Sequence, residues 1–280
     1  MAAIKDILAL AIESVRDRAA LSAADMLAHR FGASRGCVFF TALPDEPLAY
    51  EPAVVAGVWA ELLNRARTDA TVERGKVEAI LRESDLPYEI NGAEALARDL
   101  GRVAAVHARY ADLTIMTRPG EGGSMMRHDL VEGVLLNSGR PALIVPPDYD
   151  GRPIGRRPIV AWDATREATR ALGDAQALID GAEEVTVVTV DARPKAFGHG
   201  EQPGADIAAH LNRRGHKVDV RNASSGGESI AEVLLNQARA VNADLIVMGG
   251  YGHARLRELL FGGATRDLLE LSPFPLFMAH

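Results

Sequence analysis

Ala243-Asp244-Leu245-Ile246-Val247-Met248-Gly249-Gly250-Tyr251-Gly252 and Ala111-Asp112-Leu113-Thr114-Ile115-Met116-Thr117-Arg118-Pro119-Gly120 carry one pattern twice. In each copy Ala-Asp-Leu leads a short apolar run that glycine or proline brings to an end. A run of that length, apolar throughout, reads as a strand buried on both faces. Ahead of each copy the same signals stand in the same order. A short apolar run opens it (6–12, 158–163), and a long amphipathic stretch follows. A second apolar run (37–43, 184–191), a connection and another amphipathic stretch come next. A third strand-like piece (88–91, 217–222) and a helix (93–110, 228–242) complete the approach. Beyond each copy lie a last helix and a proline-led strand, PALIVPP at 141–147 and PFPLFMAH at 273–280.

Apolar strands spaced by helices predict parallel sheets covered on both faces. A repeat of this length is a domain duplication rather than a solenoid. The expected fold is therefore α/β, two tandem doubly wound parallel-sheet domains of about five strands each. Their expected bounds are residues 1–150 and 155–280, with PPDYDGRPIGRRP marking the joint near 147–157. In this architecture ligands sit beyond the carboxyl ends of the strands, where strand order reverses. The residues to inspect are those after the first and fourth strands.

Composition narrows the function. The 280 residues are 48% hydrophobic and 25% charged, which is ordinary for a globular protein. A net charge of -7 argues against a general nucleic-acid binder. The excess is local, with 16 basic against 22 acidic residues in 1–150 and 15 against 16 in 151–280. Only the second half is near enough to neutral to accept a polyphosphate. The single cysteine, Cys37, rules out a disulfide framework and sits in CVFF, where a buried thiol is expected. The N-terminus has charges at Lys5, Asp6 and Glu13 and no secretory pattern, and no run suits a membrane helix. A cytoplasmic protein is expected.

The second half carries the chemistry. After its fourth strand come Met248, Gly249, Gly250, Tyr251, Gly252 and His253, then ARLRELLF and Gly262, Gly263, Ala264 and Thr265. Glycines let the backbone approach a ligand closely. The helix entered at 262–265 would point its first N–H groups at an anion. Asp163, at the end of the first strand, can accept from an adenine amino group or a ribose. The spacing Gly249-x2-Gly252-x9-Gly262 resembles the nucleotide-binding signature of the universal stress protein family. Asp163 after PIVAW is similar to that family's strand-one aspartate. The resemblance is motif-grade over about 158–280 and holds in outline over both halves. It implies Rossmann-like, adenine nucleotide alpha hydrolase-like domains. It also implies ATP, or ADP or AMP, as ligand, with Asp163 and Val190 on the adenosine. Gly249, Gly252, Gly262, Gly263, Ala264 and Thr265 would line the ribose and triphosphate, and Met248 belongs to the same site. One departure stands out, since Gly263 occupies a position where the family has Ser or Thr, and Thr265 offers a substitute hydroxyl.

The first half fails the same test. Ala11 replaces the aspartate, Thr117 and Gly120 align with Gly249 and Gly252, and His128 and Asp129 fall where the phosphate loop would be. A carboxylate there repels a triphosphate, so no nucleotide is expected in this half. Ser224-Ser225-Gly226-Gly227-Glu228-Ser229 is similar to an ATP-pyrophosphatase loop, but it follows the third strand and reads better as a loop with a helix cap. Gly120 to Ser124 reads as a loop, spoiled as a phosphate cradle by Glu121 and Asp129. The eight histidines show no metal-ligand spacing. No Walker-type lysine, general base or acidic metal pair accompanies the glycines, so efficient catalysis is not expected. Three functions are weighed: a nucleotide-binding stress regulator first, a nucleotide-free interaction scaffold second, a hydrolase or adenylate-forming enzyme last. The uncovered final strands predict a pseudo-dimer within the chain, or a homodimer, with regulatory protein partners besides.

Overall fold

The computed structural model describes residues 4–45, 52–120, 125–194, 198–251 and 263–280. They form two compact units. The first contains β1 (Asp6–Ala11), α1 (Ser14–Phe31), β2 (Ser34–Leu43), α2 (Pro52–Leu81), β3 (Glu89–Leu96), α3 (Leu100–Ala108), β4 (Leu113–Thr117) and α4 (Met125–Asn137). Its strands run parallel in the order β3-β2-β1-β4, with Ala9 opposite both Cys37 and Ile115. Leu10, Val38, Phe39, Phe40, Leu113 and Ile115 are all buried, each contributing about 1.5–3 kcal/mol.

Residues 93–96 depart from the helix expected there. They extend β3, which pairs with the long β2 from Gly36 opposite Glu89 to Leu43 opposite Leu96. A 3₁₀ turn at Ala97–Asp99 then leads into α3. Gly101 and Gly133 bring α3 and α4 together so closely that a Cβ on Gly133 would lie 2.2 Å from the Gly101 carbonyl oxygen.

The second unit is built on residues 141–280, with 118–120 grouped to it. It contains β5 (Ala142–Val145), β6 (Pro158–Ala161), α5 (Arg166–Ile179), β7 (Val185–Val190), α6 (Ala205–Arg213), β8 (Val218–Ala223), α7 (Ile230–Ala240), β9 (Leu245–Gly249), α8 (Gly263–Leu271) and β10 (Leu276–Ala279). The strand order is β5-β10-β9-β6-β7-β8. All pairings are parallel except β5 with β10, where Leu276 faces Ile144 and Met278 faces Ala142 in antiparallel register. So β5 covers the edge that β10 would otherwise leave open, and the five-strand parallel expectation becomes four strands in one unit and six in the other.

The repeated Ala-Asp-Leu has a structural cause. Asp244 accepts hydrogen bonds from the amides of Gly155 (3.0 Å), Arg156 (2.8 Å) and Arg157 (3.1 Å), at the entry to β6. Asp112 does the same to the amides of Lys5 (2.8 Å) and Asp6 (3.1 Å) at the start of β1. Each aspartate pins the start of the neighbouring central strand and satisfies donors that no strand partner reaches.

Candidate functional site

In the second unit the chain runs from β6 outward to β7 and β8, then returns to β9 on the other side of β6. Strand order therefore reverses between β6 and β9, and past the carboxyl ends of such a pair this architecture places its ligand crevice. Asp163 stands two residues beyond β6, exposed. Its Oδ1 accepts from the Thr165 amide (3.1 Å) and hydroxyl (2.6 Å). Thr165 in turn caps α5 by accepting from the Ala168 amide at 3.2 Å. One short turn thus fixes the carboxylate and starts the helix.

Gly249 ends β9 against that turn. A Cβ there would lie 2.6 Å from the Ala168 nitrogen and 2.8 Å from Glu167 Cβ. Packing alone requires this glycine, whatever else it does. Gly263, the first residue of α8, is the opposite case: an added Cβ would meet only Asp267 Oδ2, at 3.9 Å. Nothing among the described residues demands a glycine at this exposed position. Ala264 is half-buried, and Thr265 is buried at 7% exposure, inside the first turn of the helix. Met248 is buried, paired with Ala161 on one side and Met278 on the other. Val190 ends β7, half-buried, opposite Ala223. Gly252, His253 and Gly262 lie outside the described residues.

Sequence reasoning missed two features. Among the described non-glycine residues, four have left-handed backbones: Ala164 (φ 60°), Asp191 (φ 49°), Asn242 (φ 50°) and Tyr251 (φ 59°). Three of them sit just past the ends of β6, β7 and β9. Such conformations cost energy and gather where a site imposes them. No residue type announces this, least of all an alanine. The other feature is Glu167, buried in the first turn of α5. Burial opposes its ionisation, but the Arg166 guanidinium, its own amide and nearby His280 together hold the carboxyl below the usual range.

The corresponding place in the first unit is filled. At the end of β1, Asp17 accepts from the amides of Ile12 (2.7 Å) and Glu13 (2.9 Å). Arg127, from the first turn of α4, donates to Asp17 Oδ1 at 2.7 Å and Oδ2 at 3.2 Å, and reaches Glu13 at 3.4 Å. Asp129 lies half-buried, its carboxyl pushed up by burial, with Asp45 adding repulsion. Cys37 is buried and its thiol is pushed up to about 12, chiefly by desolvation, so it is no nucleophile at neutral pH. The serine-glycine loop resolves as expected: Ser229 and Glu232 form a capping box on α7, at 2.8 and 3.1 Å. A cavity of 210 Å³ between α5 and α6, near Gly173 and His210, includes none of Asp163, Gly249 or Gly263 and is smaller than usual ligand pockets.

The profile of the universal stress protein family matches residues 156–280. Those residues belong to the universal stress protein family. The universal stress fold extends further along the chain. A universal stress protein from Archaeoglobus fulgidus DSM 4304 superposes with a TM-score of 0.67 at 17% identity, covering 98% of this chain and 96% of that one. A putative universal stress protein from Pseudomonas aeruginosa UCBPP-PA14 gives 0.55 at 15% identity, covering 99% and 93%. At these identities the likeness is one of fold, Rossmann-like α/β. No curated protein matches the chain. Among the described residues no helix is long and apolar enough to cross a membrane.

Proposed function

We propose that this universal stress chain binds one adenine nucleotide, ATP first, in the crevice between β6 and β9. The observation that carries the reading is the gathering of strained left-handed residues at the ends of β6, β7 and β9, beside Asp163. Asp163 Oδ2 is the acceptor we assign to the ribose or adenine, since both its internal bonds fall on Oδ1. Val190 and Met248 line the adenosine side. The open first turn of α8, from Gly263, meets the phosphates through its N–H groups and dipole. Gly252 and Gly262 join them by the family resemblance.

The same reading makes the chain a cytoplasmic regulator, with little turnover of its own. Asp163 spends Oδ1 on its turn and Oδ2 on the nucleotide, and Glu167 is buried and paired, so neither activates water. A nucleotide-free scaffold is the second reading, favoured by the packing that already explains Gly249. Mass spectrometry of ligand released from denatured, freshly purified protein separates the two. Adenine nucleotide supports the first, and protein that carries none and takes up none supports the second.

A further inference from the structure

Residues 118–120 follow β4 in sequence yet group with the unit of residues 141–280. Their contacts there converge on one helix end. The Arg118 amide donates to the Val145 carbonyl at 2.8 Å, anchoring the segment at the end of β5. The Arg118 guanidinium donates to the carbonyl of Glu270. The Gly120 amide donates to the carbonyl of Leu269 at 3.4 Å. Both acceptors belong to the last turn of α8, where carbonyls lack partners within the helix. A cation there also meets the negative end of the helix dipole. The Ser272 amide satisfies a third carbonyl, that of Leu268, at 2.9 Å.

We infer that Arg118 is a positioning residue for α8, fixing its C-terminal end and thereby the aim of its first turn. This rests on the proposed nucleotide reading, because the first turn is Gly263, Ala264 and Thr265. A nine-residue helix is about 13 Å long, so a small displacement at one end carries to the other. The sequence position adds meaning. Thr117 and Gly120 align with Gly249 and Gly252, so the first repeat's counterpart of a ligand loop serves here as a clamp. The phosphates, not the adenosine, lie at α8. Loss of the clamp therefore acts on ATP and spares adenosine.

The test compares Arg118→Met, which keeps the stem, with Arg118→Lys, which keeps a donor. Hydrogen exchange in the nucleotide-free protein should quicken at α8 in Arg118→Met, stay unchanged at α7, and recover in part in Arg118→Lys. In calorimetry Arg118→Met should weaken ATP about two- to thirtyfold and leave adenosine within about twofold. Unchanged exchange at α8 overturns the clamp. Equal weakening of ATP and adenosine overturns the positioning role in favour of general loosening. A wild-type chain that binds neither ligand overturns the nucleotide reading and the affinity claim with it, while exchange still decides the clamp.

Discussion

Arg127 and Asp17 form a two-pronged ion pair, 2.7 and 3.2 Å, at the point where β1 ends. Both side chains are almost wholly buried, at 6% and 0% exposure. Asp17 spends Oδ2 on the amides of Ile12 and Glu13 as well. The first unit thus fills with its own cation and carboxylate the ground that corresponds to the surroundings of Asp163 in the second.

Arg127→Met would strand the Asp17 charge in the interior. We expect a stability loss of about 3–5 kcal/mol in urea denaturation, as for other broken buried pairs. The double variant Arg127→Met, Asp17→Leu should recover much of it. A single-variant loss under about 1 kcal/mol, typical of exposed pairs, would contradict the burial argument. ATP uptake should be the same in wild type and in both variants.

Two glycines of the candidate site should behave oppositely. Gly249→Ala forces a Cβ against Ala168 and Glu167 backbone, so it should cost about 1–3 kcal/mol and displace the Asp163 turn. Gly263→Ser meets no described atom nearer its Cβ than Asp267 Oδ2 at 3.9 Å and adds a hydroxyl, and should tighten ATP by about tenfold, one hydrogen bond to a charged partner. Gly263→Ser binding ATP no better than wild type would remove this residue from the phosphate site.

Glu73 supplies a pH signature. Lys76 at 2.6 Å holds its carboxyl down to about 2, helped by the Ser14 amide and hydroxyl at 2.8 and 2.7 Å. The depressed pKa favours the folded state above the ordinary value of 4.5, and this contribution is lost as pH falls toward 2. The urea midpoint of Glu73→Gln should therefore lie below wild type at pH 7, with the gap closing between pH 4.5 and 2. A gap that stays constant across that window would show that the ionised carboxylate contributes nothing.

Removal of β10 should expose β5. Ala142, Leu143, Ile144 and Val145 are all fully buried, and β10 pairs along them. A chain ending at Ser272 should associate or precipitate in light scattering, since an apolar edge invites pairing. Continued solubility of a compact, unassociated product would show that the edge needs no cover.

Much of this was legible in residue order. The doubled Ala-Asp-Leu runs became β4 and β9, because runs apolar throughout fit only the middle of a covered sheet. The helix expected over 93–110 was displaced because β2 is long enough to recruit residues 93–96 as a partner, which local pattern does not reveal. Asp163 and Gly249 stood out by spacing, but the packing need for Gly249 arises only once α5 lies against β9. Arg127 gave no signal, since its partner lies 110 residues away in sequence. Ala164 gave none either, because its backbone strain is imposed by the turn between Asp163 and Thr165 rather than by its own type.

The central claim is a single nucleotide site, in the second half of the chain. Isothermal titration of the intact protein with ATP tests it most directly, with Asp163→Ala and Asp129→Gly alongside. The account predicts one ATP per chain, weakened by Asp163→Ala and unaffected by Asp129→Gly. Two ATP per chain, or one that survives Asp163→Ala and responds to Asp129→Gly, would contradict it.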